Sequence, residues 1–295
     1  MLAKFQFQIT ETVRKKRLDK FLFDKIATVS QIYLRDLITD GKCTINGEVK
    51  DGGYHLQKDD AVEIEVDVRA ETSTMPENIP LEIVFEDSEL LVINKSPAML
   101  VHPTRGVRNG TLLNALAFYL NYTEKGELKT EKIVRASLVH RLDKRTSGLM
   151  VIAKNPHSHR VLSNHFQRKL IEKKYYAVVE GAVAEDSGTI NAPIGRNAEE
   201  RFWFVTAGGK PAESRFQVIE RLANATLLSL EPVTGRTNQL RLHCAHIGHP
   251  IIGDDKYGGR AFERLCLHAY KLSFYHPNGN RRLEFETELP EDFIK

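Results

Sequence analysis

Apolar positions in this chain recur at two periods. Near the N-terminus, Leu18, Phe21, Leu22 and Ile26 follow the three-and-four spacing of one helical face, led in by Lys15, Lys16, Arg17 and Lys20. Leu34, Leu37 and Ile38 repeat the pattern, with Ser30 placed to cap this second helix and Gly41 to end it. The period then shortens to two. Cys43-Thr44-Ile45, the turn pair Asn46-Gly47 and the alternating Ala61-Val62-Glu63-Ile64-Glu65-Val66 predict short strands. Residues 69–79 have no period and contain Pro76, which predicts a linker. Strands are expected at 81–85 and 90–93 around a polar turn, at 149–153, at 175–180 and at 225–231. Helical spacing returns at Leu113, Leu116 and Leu120, and again at Val161, Leu162 and Phe166. The polar segment 121–132 reads as an exposed loop. No 20–50-residue repeat and no glycine-rich nucleotide fingerprint is present. Strands mixed with scattered helices predict an α+β chain: a small domain over 1–68, the linker 69–79, and a body over 80–295 built on antiparallel sheet.

Charge changes this picture. The net charge of +3 is unevenly spread: residues 1–42 carry a net +4, residues 43–91 a net −10, and the remainder a net +9. Two basic regions split by an acidic stretch suit a polyanion touching two surfaces. Cys43, Cys244 and Cys266 are isolated, with no paired-cysteine metal or redox spacing, which fits a reducing cytoplasm. The first residues lack the apolar core of a secretion signal, and no run reaches the ~18 apolar residues of a membrane span. A cytoplasmic monomer without a membrane partner is the expectation.

The most specific string is His140-Arg141-Leu142-Asp143-Lys144-Arg145-Thr146-Ser147-Gly148-Leu149. It holds a carboxylate at the mouth of a strand among Arg141, Lys144 and Arg145, a setting that favours anions. For an isolated Asp-Lys pair, a charged surface turn would be the better reading. The whole string, however, resembles the active-site motif of the RluA-like pseudouridine synthases, whose aspartate is catalytic. Further segments resemble the same family in order: Asn94-Lys95 through His102-Pro103, Lys173-Lys174-Tyr175, Thr234-Gly235-Arg236-Thr237-Asn238-Gln239-Leu240-Arg241 running on to Gly253-Asp254, and Leu267-His268-Ala269 with His276-Pro277. The family's usual Pro-Ala-Gly is Ser96-Pro97-Ala98 here, and a loop without glycine argues against a positive φ at that point. Asn238 stands where the family usually has histidine. The N-terminal phrases Arg17-Leu18-Asp19-Lys20-Phe21-Leu22, Leu37-Ile38-Thr39-Asp40-Gly41 and Ile45-Asn46-Gly47 resemble an S4-type RNA-binding domain, with Ser30-Gln31 in place of the common Ser-Arg.

The resemblance spans nearly the whole chain outside 69–79 and 121–132. It implies a mixed, mostly antiparallel catalytic sheet with flanking helices and a small S4-like α/β domain. It implies isomerisation of uridine in structured RNA, ribosomal RNA first and transfer RNA second, with no cofactor and no metal. Asp143, Tyr175 and Arg241 are the catalytic candidates. His140, Arg141 and Lys144 are candidate RNA contacts beside the site, as are Arg17, Lys20 and Arg35 in the N-terminal module.

The chemistry stands beside the resemblance. Isomerisation breaks an N-glycosidic bond, turns the uracil and joins C5 to the same sugar carbon, with no redox change. One carboxylate can serve as nucleophile or proton acceptor. It benefits from a cation, and Arg241 is the candidate: Thr237 is placed to cap a helix bearing Leu240, His243, Cys244 and Ile247, with Gly248 at its end. A salt bridge from Arg241 to Asp143 would lower the carboxyl pKa by about 1–3 units. Tyr175 and Tyr176 must point to opposite faces of their strand, and the resemblance selects Tyr175 for the site. A helical uridine must first be flipped out, and the resemblance implies that Arg141 fills the vacated stack.

Two other readings fit parts of the chain. His243, His246 and His249 with Asp254 and Asp255 invite a zinc hydrolase, but Gly248 ends the helix before His249 and no zincin motif is present. A non-catalytic S4-type RNA-binding protein would not require Asp143, Tyr175 and Arg241 to converge.

Overall fold

The computed structural model describes residues 2–26, 29, 31–67, 75–104, 106–130, 134–197 and 202–293. Ser30, the expected helix cap, and most of the expected linker lie outside them. The chain divides into two compact units, one of residues 1–77 with 103–109, the other of 78–102 with 110–295.

In the first unit, helices α1 (Leu18–Lys25) and α2 (Gln31–Thr39) accompany a four-stranded antiparallel sheet. The strand order is Leu2–Gln8, Ala61–Asp67, Cys43–Ile45, Glu48–Val49. The Asn46-Gly47 turn closes the last hairpin with both residues at positive φ, 53° and 83°. Leu18, Phe21, Leu22, Leu34 and Ile38 fill one core with Cys43, Ile45, Val62, Ile64 and Val66. The strand Leu2–Gln8 is an addition to the sequence reading, although Ala3, Phe5 and Phe7 do alternate with Lys4, Gln6 and Gln8.

The second unit is a mixed, mostly antiparallel ten-stranded sheet flanked by α3 (Leu112–Asn121), α4 (Pro156–Gln167) and α5 (Gln239–His246). Its centre runs Ala225–Pro232, Glu172–Glu180, Leu267–Tyr275, Ser147–Ala153, Leu90–Lys95. Only the pairing of Leu267–Tyr275 with Ser147–Ala153 is parallel among the described strands. Ser147–Ala153 is buried at every position because the sheet is covered on both faces. Met150 and Ile152 face one core, while Leu149, Val151 and Ala153 face the other. A strand covered on both sides reads as an unbroken apolar run.

Local chemistry sets the helix starts. Thr111 and Asn114 form a reciprocal capping box on α3. Asn155 Oδ1 accepts the Ser158 N–H at 2.9 Å to cap α4, with Pro156 in its first turn. Gly148 sits at φ 117°, and a Cβ there would fall 2.4 Å from the Ala269 carbonyl oxygen. Glycine is therefore what lets the two parallel strands meet just after Asp143. Among the described residues, no helix is long and apolar enough to cross a membrane.

Candidate active site

Asp143 leaves a short turn between Leu138 and the central strand. Leu142 is buried and anchors that turn, so its neighbours point away from the core: Arg141 is exposed and Asp143 is half-buried, and both line the cleft. The Thr146 N–H closes it on the Asp143 carbonyl at 3.1 Å. Lys95 holds it from beneath. The residue is 1% exposed, and its ammonium donates to the carbonyls of Ser96 (2.7 Å), Met99 (3.1 Å) and Lys144 (3.4 Å). Burial, with the charge of Arg264, pushes the Lys95 pKa down to about 8. The loop 96–99 can present two carbonyls to one ammonium because Ala98 lies at φ 63°. This corrects the expectation that a loop without glycine avoids positive φ. An alanine held there costs about 1–2 kcal/mol. Ala98→Gly should therefore raise unfolding free energy by about 0.5–1 kcal/mol in a urea titration, after the extra chain entropy of glycine is deducted.

Asp143, Tyr175 and Arg241, distant in sequence, line one cleft together with Arg141, Lys173 and Leu267. Tyr175 comes from Glu172–Glu180, a strand paired to both Ala225–Pro232 and Leu267–Tyr275. It faces the cleft, while Tyr176 stacks on Tyr270 with ring centroids 3.8 Å apart. Burial, then the Asp143 charge, raises the Tyr175 pKa above the ordinary phenol range, so its hydroxyl is a neutral donor.

Arg241 corrects the expected geometry. Its guanidinium forks onto Asp254, with Nε to Oδ2 at 2.6 Å and Nη2 to Oδ1 at 2.5 Å, and no Arg241–Asp143 pair forms within 4.0 Å. Both partners of the bridge are buried. The Tyr257 ring lies under the guanidinium, 4.9 Å from centroid to carbon. Consequently the Asp143 pKa is raised, not lowered. Burial dominates, Arg241 and Arg141 pull the other way, and Asp254 repels. The Arg241 charge still acts on Asp143, but the Asp254 carboxylate that holds it offsets part of that pull, and burial outweighs the rest.

The turn bearing Asp254 is itself fixed. Gly253, at φ 79°, passes so close to the Arg264 carbonyl that a Cβ would lie 1.9 Å from its oxygen. Arg145 donates to the Gly253 carbonyl at 2.6 Å and pairs with Asp255. Arg145 therefore ties the Asp143 turn to the Asp254 turn. Helix α5 takes Asn238 as its N-cap, one residue later than the expected Thr237. Asn238 occupies the left-handed region (φ 55°), and its side chain donates to the Tyr257 hydroxyl at 2.8 Å. Asn tolerates this conformation better than Thr, which accounts for the shift.

The remaining candidates separate by surroundings. Arg141 and Lys144 are exposed beside the cleft. His140 is used inside the fold: its Nε2 accepts the Val151 N–H at 3.0 Å and its ring stacks on Phe166 at 4.7 Å. Burial, then Lys173, pushes its pKa down to about 3, so it is a neutral acceptor and not a cation for RNA. In the first unit, Arg17 and Arg35 both bind Asp19, which is 1% exposed. Burial alone would raise Asp19, but its hydrogen bonds to the two guanidiniums outweigh it and hold the carboxyl below its ordinary range. Arg35 thereby ties α2 to α1, while Arg17 pairs with Asp19 within the first turn of α1. Lys20 is exposed, and among the described residues no carboxylate pairs with it within 4.0 Å.

The histidines of the zinc alternative are dispersed. His243 Nε2 lies 3.0 Å from the Ala192 carbonyl and His249 Nδ1 2.7 Å from that of Glu180, while Asp254 holds Arg241. No group of three His, Cys, Asp or Glu side chains that could hold a metal occurs among the described residues. The structure adds Asp254, Lys95, Lys173 and Tyr257 to the site. Asp254 and Lys95 lie in recognised motif segments, but nothing in their spacing tells which charge each one meets.

Comparison with known proteins converges on this region. Residues 89–246 match the family model described as RNA pseudouridylate synthase. An uncharacterized RNA pseudouridine synthase, YlyB, of Bacillus subtilis (strain 168) is 39% identical over 98% of this chain and 96% of its own length. Ribosomal large subunit pseudouridine synthase D of Escherichia coli O6:H1 is 36% identical over 98% of this chain and 93% of its own. The solved structure of human RNA pseudouridylate synthase domain containing 1 superposes with a TM-score of 0.59 at 26% identity, over 72% of this chain and 85% of that one.

Proposed function

This chain belongs to the RNA pseudouridylate synthase family, and we propose that it isomerises specific uridines of ribosomal RNA with Asp143 as the reacting carboxylate. The carrying observation is the meeting of Asp143, Tyr175 and Arg241 in one cleft. In the reaction the bond from N1 to the ribose C1′ breaks, C5 bonds to C1′, the C5 proton leaves and N1 gains one. Asp143 acts as nucleophile or proton acceptor in its ionised form. Tyr175 offers a ring to the flipped base and a neutral hydroxyl for a hydrogen bond. Arg241, held by Asp254, supplies a rigid cationic wall. Arg141 is free to fill the stack the uridine vacates. The ribosomal assignment is supported by the relatives named for the large ribosomal subunit, and it implies a cytoplasmic setting. Pseudouridine mapping in cellular RNA with and without the gene tests it. Loss of a ribosomal site is expected, and loss confined to transfer RNA would overturn the substrate assignment.

The first unit we read as an S4-like RNA-binding module. Its support is the sequence resemblance together with the exposed Lys15 and Lys20, which have no carboxylate within 4.0 Å among the described residues. The other members of the expected basic cluster are engaged: Arg14 with Glu11, Lys16 with Asp24, Arg17 with Asp19. Neutralising both lysines to glutamine should lower the slope of log affinity against log salt by roughly 1.4–1.8. An unchanged slope in a filter-binding titration would show that this module does not contact phosphate through them.

A further inference from the structure

We propose that the solvent face of α4, continued by Arg168 and Lys169, is a phosphate-binding track for the RNA strand that enters the cleft. The inference rests on the RNA reading above and extends it to a surface outside the catalytic residues. Helix α4 and the turn after it, residues 156–171, contain no Asp or Glu. Its outward positions His157, Arg160, Asn164, Gln167 and Arg168 share one face at three- and four-residue spacing, while Ser158 and Leu162 are buried beneath. A helix face built for its own stability mixes acids and bases at i, i+4. This one has only cations and neutral hydrogen-bonding groups.

Nothing nearby neutralises it. Among the described residues, no carboxylate lies within 4.0 Å of the head groups of Arg160, Arg168 or Lys169. Glu172, the next acid along the chain, is engaged by Lys174 and Arg282. Glu89 bonds the helix at its start, through Asn155 and Ser158, where it also feels the charge of His157, and pairs with none of Arg160, Arg168 and Lys169. The helix is tied to the site from its inner side: Phe166 stacks on His140, three residues before Asp143, and the Lys173 ammonium lies 5.5 Å from the Phe166 ring centroid while lining the cleft. Arg160 and Arg168 lie about 12 Å apart along the axis at 1.5 Å per residue, a reach of more than one phosphate. Unpaired cations along a groove edge release counterions from a polyanion, so RNA is the partner this surface fits.

The test is the triple variant Arg160→Gln, Arg168→Gln, Lys169→Gln in the full chain, titrated with in vitro transcribed large-subunit ribosomal RNA across a salt series. At about 0.1 M salt the Kd should weaken tenfold or more, and the salt slope should fall by roughly 2–3. The rate on saturating RNA should be unchanged. Replacing the two arginines by lysine should restore most of the slope, since phosphate neutralisation needs charge and not a guanidinium. The control triple Arg215→Gln, Arg221→Gln, Arg282→Gln removes the same charge from cations paired with carboxylates. Equal weakening by both triples would overturn the track, because net charge alone would explain it. An α4 triple with unchanged Kd and slope, beside a wild type that binds and isomerises RNA, would overturn the track and leave the enzymatic reading standing. A wild type that does not bind RNA would remove both.

Discussion

Asp143→Asn is expected to lower the single-turnover isomerisation rate by more than about a thousandfold while leaving RNA affinity within a few-fold. The amide keeps the shape of the side chain and removes the charge that either attacks the sugar or accepts a proton. The same substitution should leave the melting temperature no lower than that of wild type. Burial raises the Asp143 pKa, against the pull of Arg241 and Arg141. An acid raised in the folded state adds stability below its unfolded pKa, and that contribution is lost as pH rises through the folded pKa. At neutral pH the ionised carboxylate is thus the destabilising form, and a neutral amide relieves it. In wild type the single-turnover rate should fall with acid at a midpoint above the ordinary carboxylate range, because only the ionised form reacts. Activity above a few per cent of wild type in the variant would remove Asp143 from the chemistry. A melting temperature several degrees lower would contradict the burial argument.

Asp254→Asn is expected to give the largest loss of stability, about 3–5 kcal/mol in a urea titration. The volume hardly changes, so the effect is electrostatic. The Arg241 side chain is 8% exposed and Asp254 fully buried, so the variant leaves a buried guanidinium without its bidentate partner. Tyr257 beneath the cation offsets only part of this, about 1–2 kcal/mol for a desolvated cation–π contact. The pH profile should move as well. Asp254 raises the Asp143 pKa, so its neutralisation should shift the acid limb of the rate to lower pH. A stability loss below about 1 kcal/mol would mean that the bridge is not what keeps Arg241 in place.

Several elements were legible because their patterns are local. The helical spacing around Leu162 and Phe166, the apolar run after Gly148 and the alternation at 61–66 all correspond to elements of the structure. The strand at Leu2–Gln8 carries the same alternation, but its apolar positions are only half buried and its partner, Ala61–Asp67, lies far along the chain, so its pairing is decided by the fold. Thr237 is the cap that the sequence suggests, yet Asn238 takes the position in the left-handed region, with its side chain turned to Tyr257, nineteen residues on.

The chain alone determined which residue types gather in the cleft. The motif strings name Asp143, Tyr175 and Arg241, and an unbroken apolar run after the aspartate dictates a central strand. Tertiary structure decided how the charges pair. Arg241 is committed to Asp254 and not to Asp143, Arg145 ties the two turns together, and His140 is a neutral internal acceptor. The physical reason is that secondary structure follows from spacing along one segment. An ion pair or a shifted pKa depends on which distant charges arrive within a few ångströms and how much water is excluded around them. Burial is a property of the packed fold, and here it outweighs the cations at Asp143.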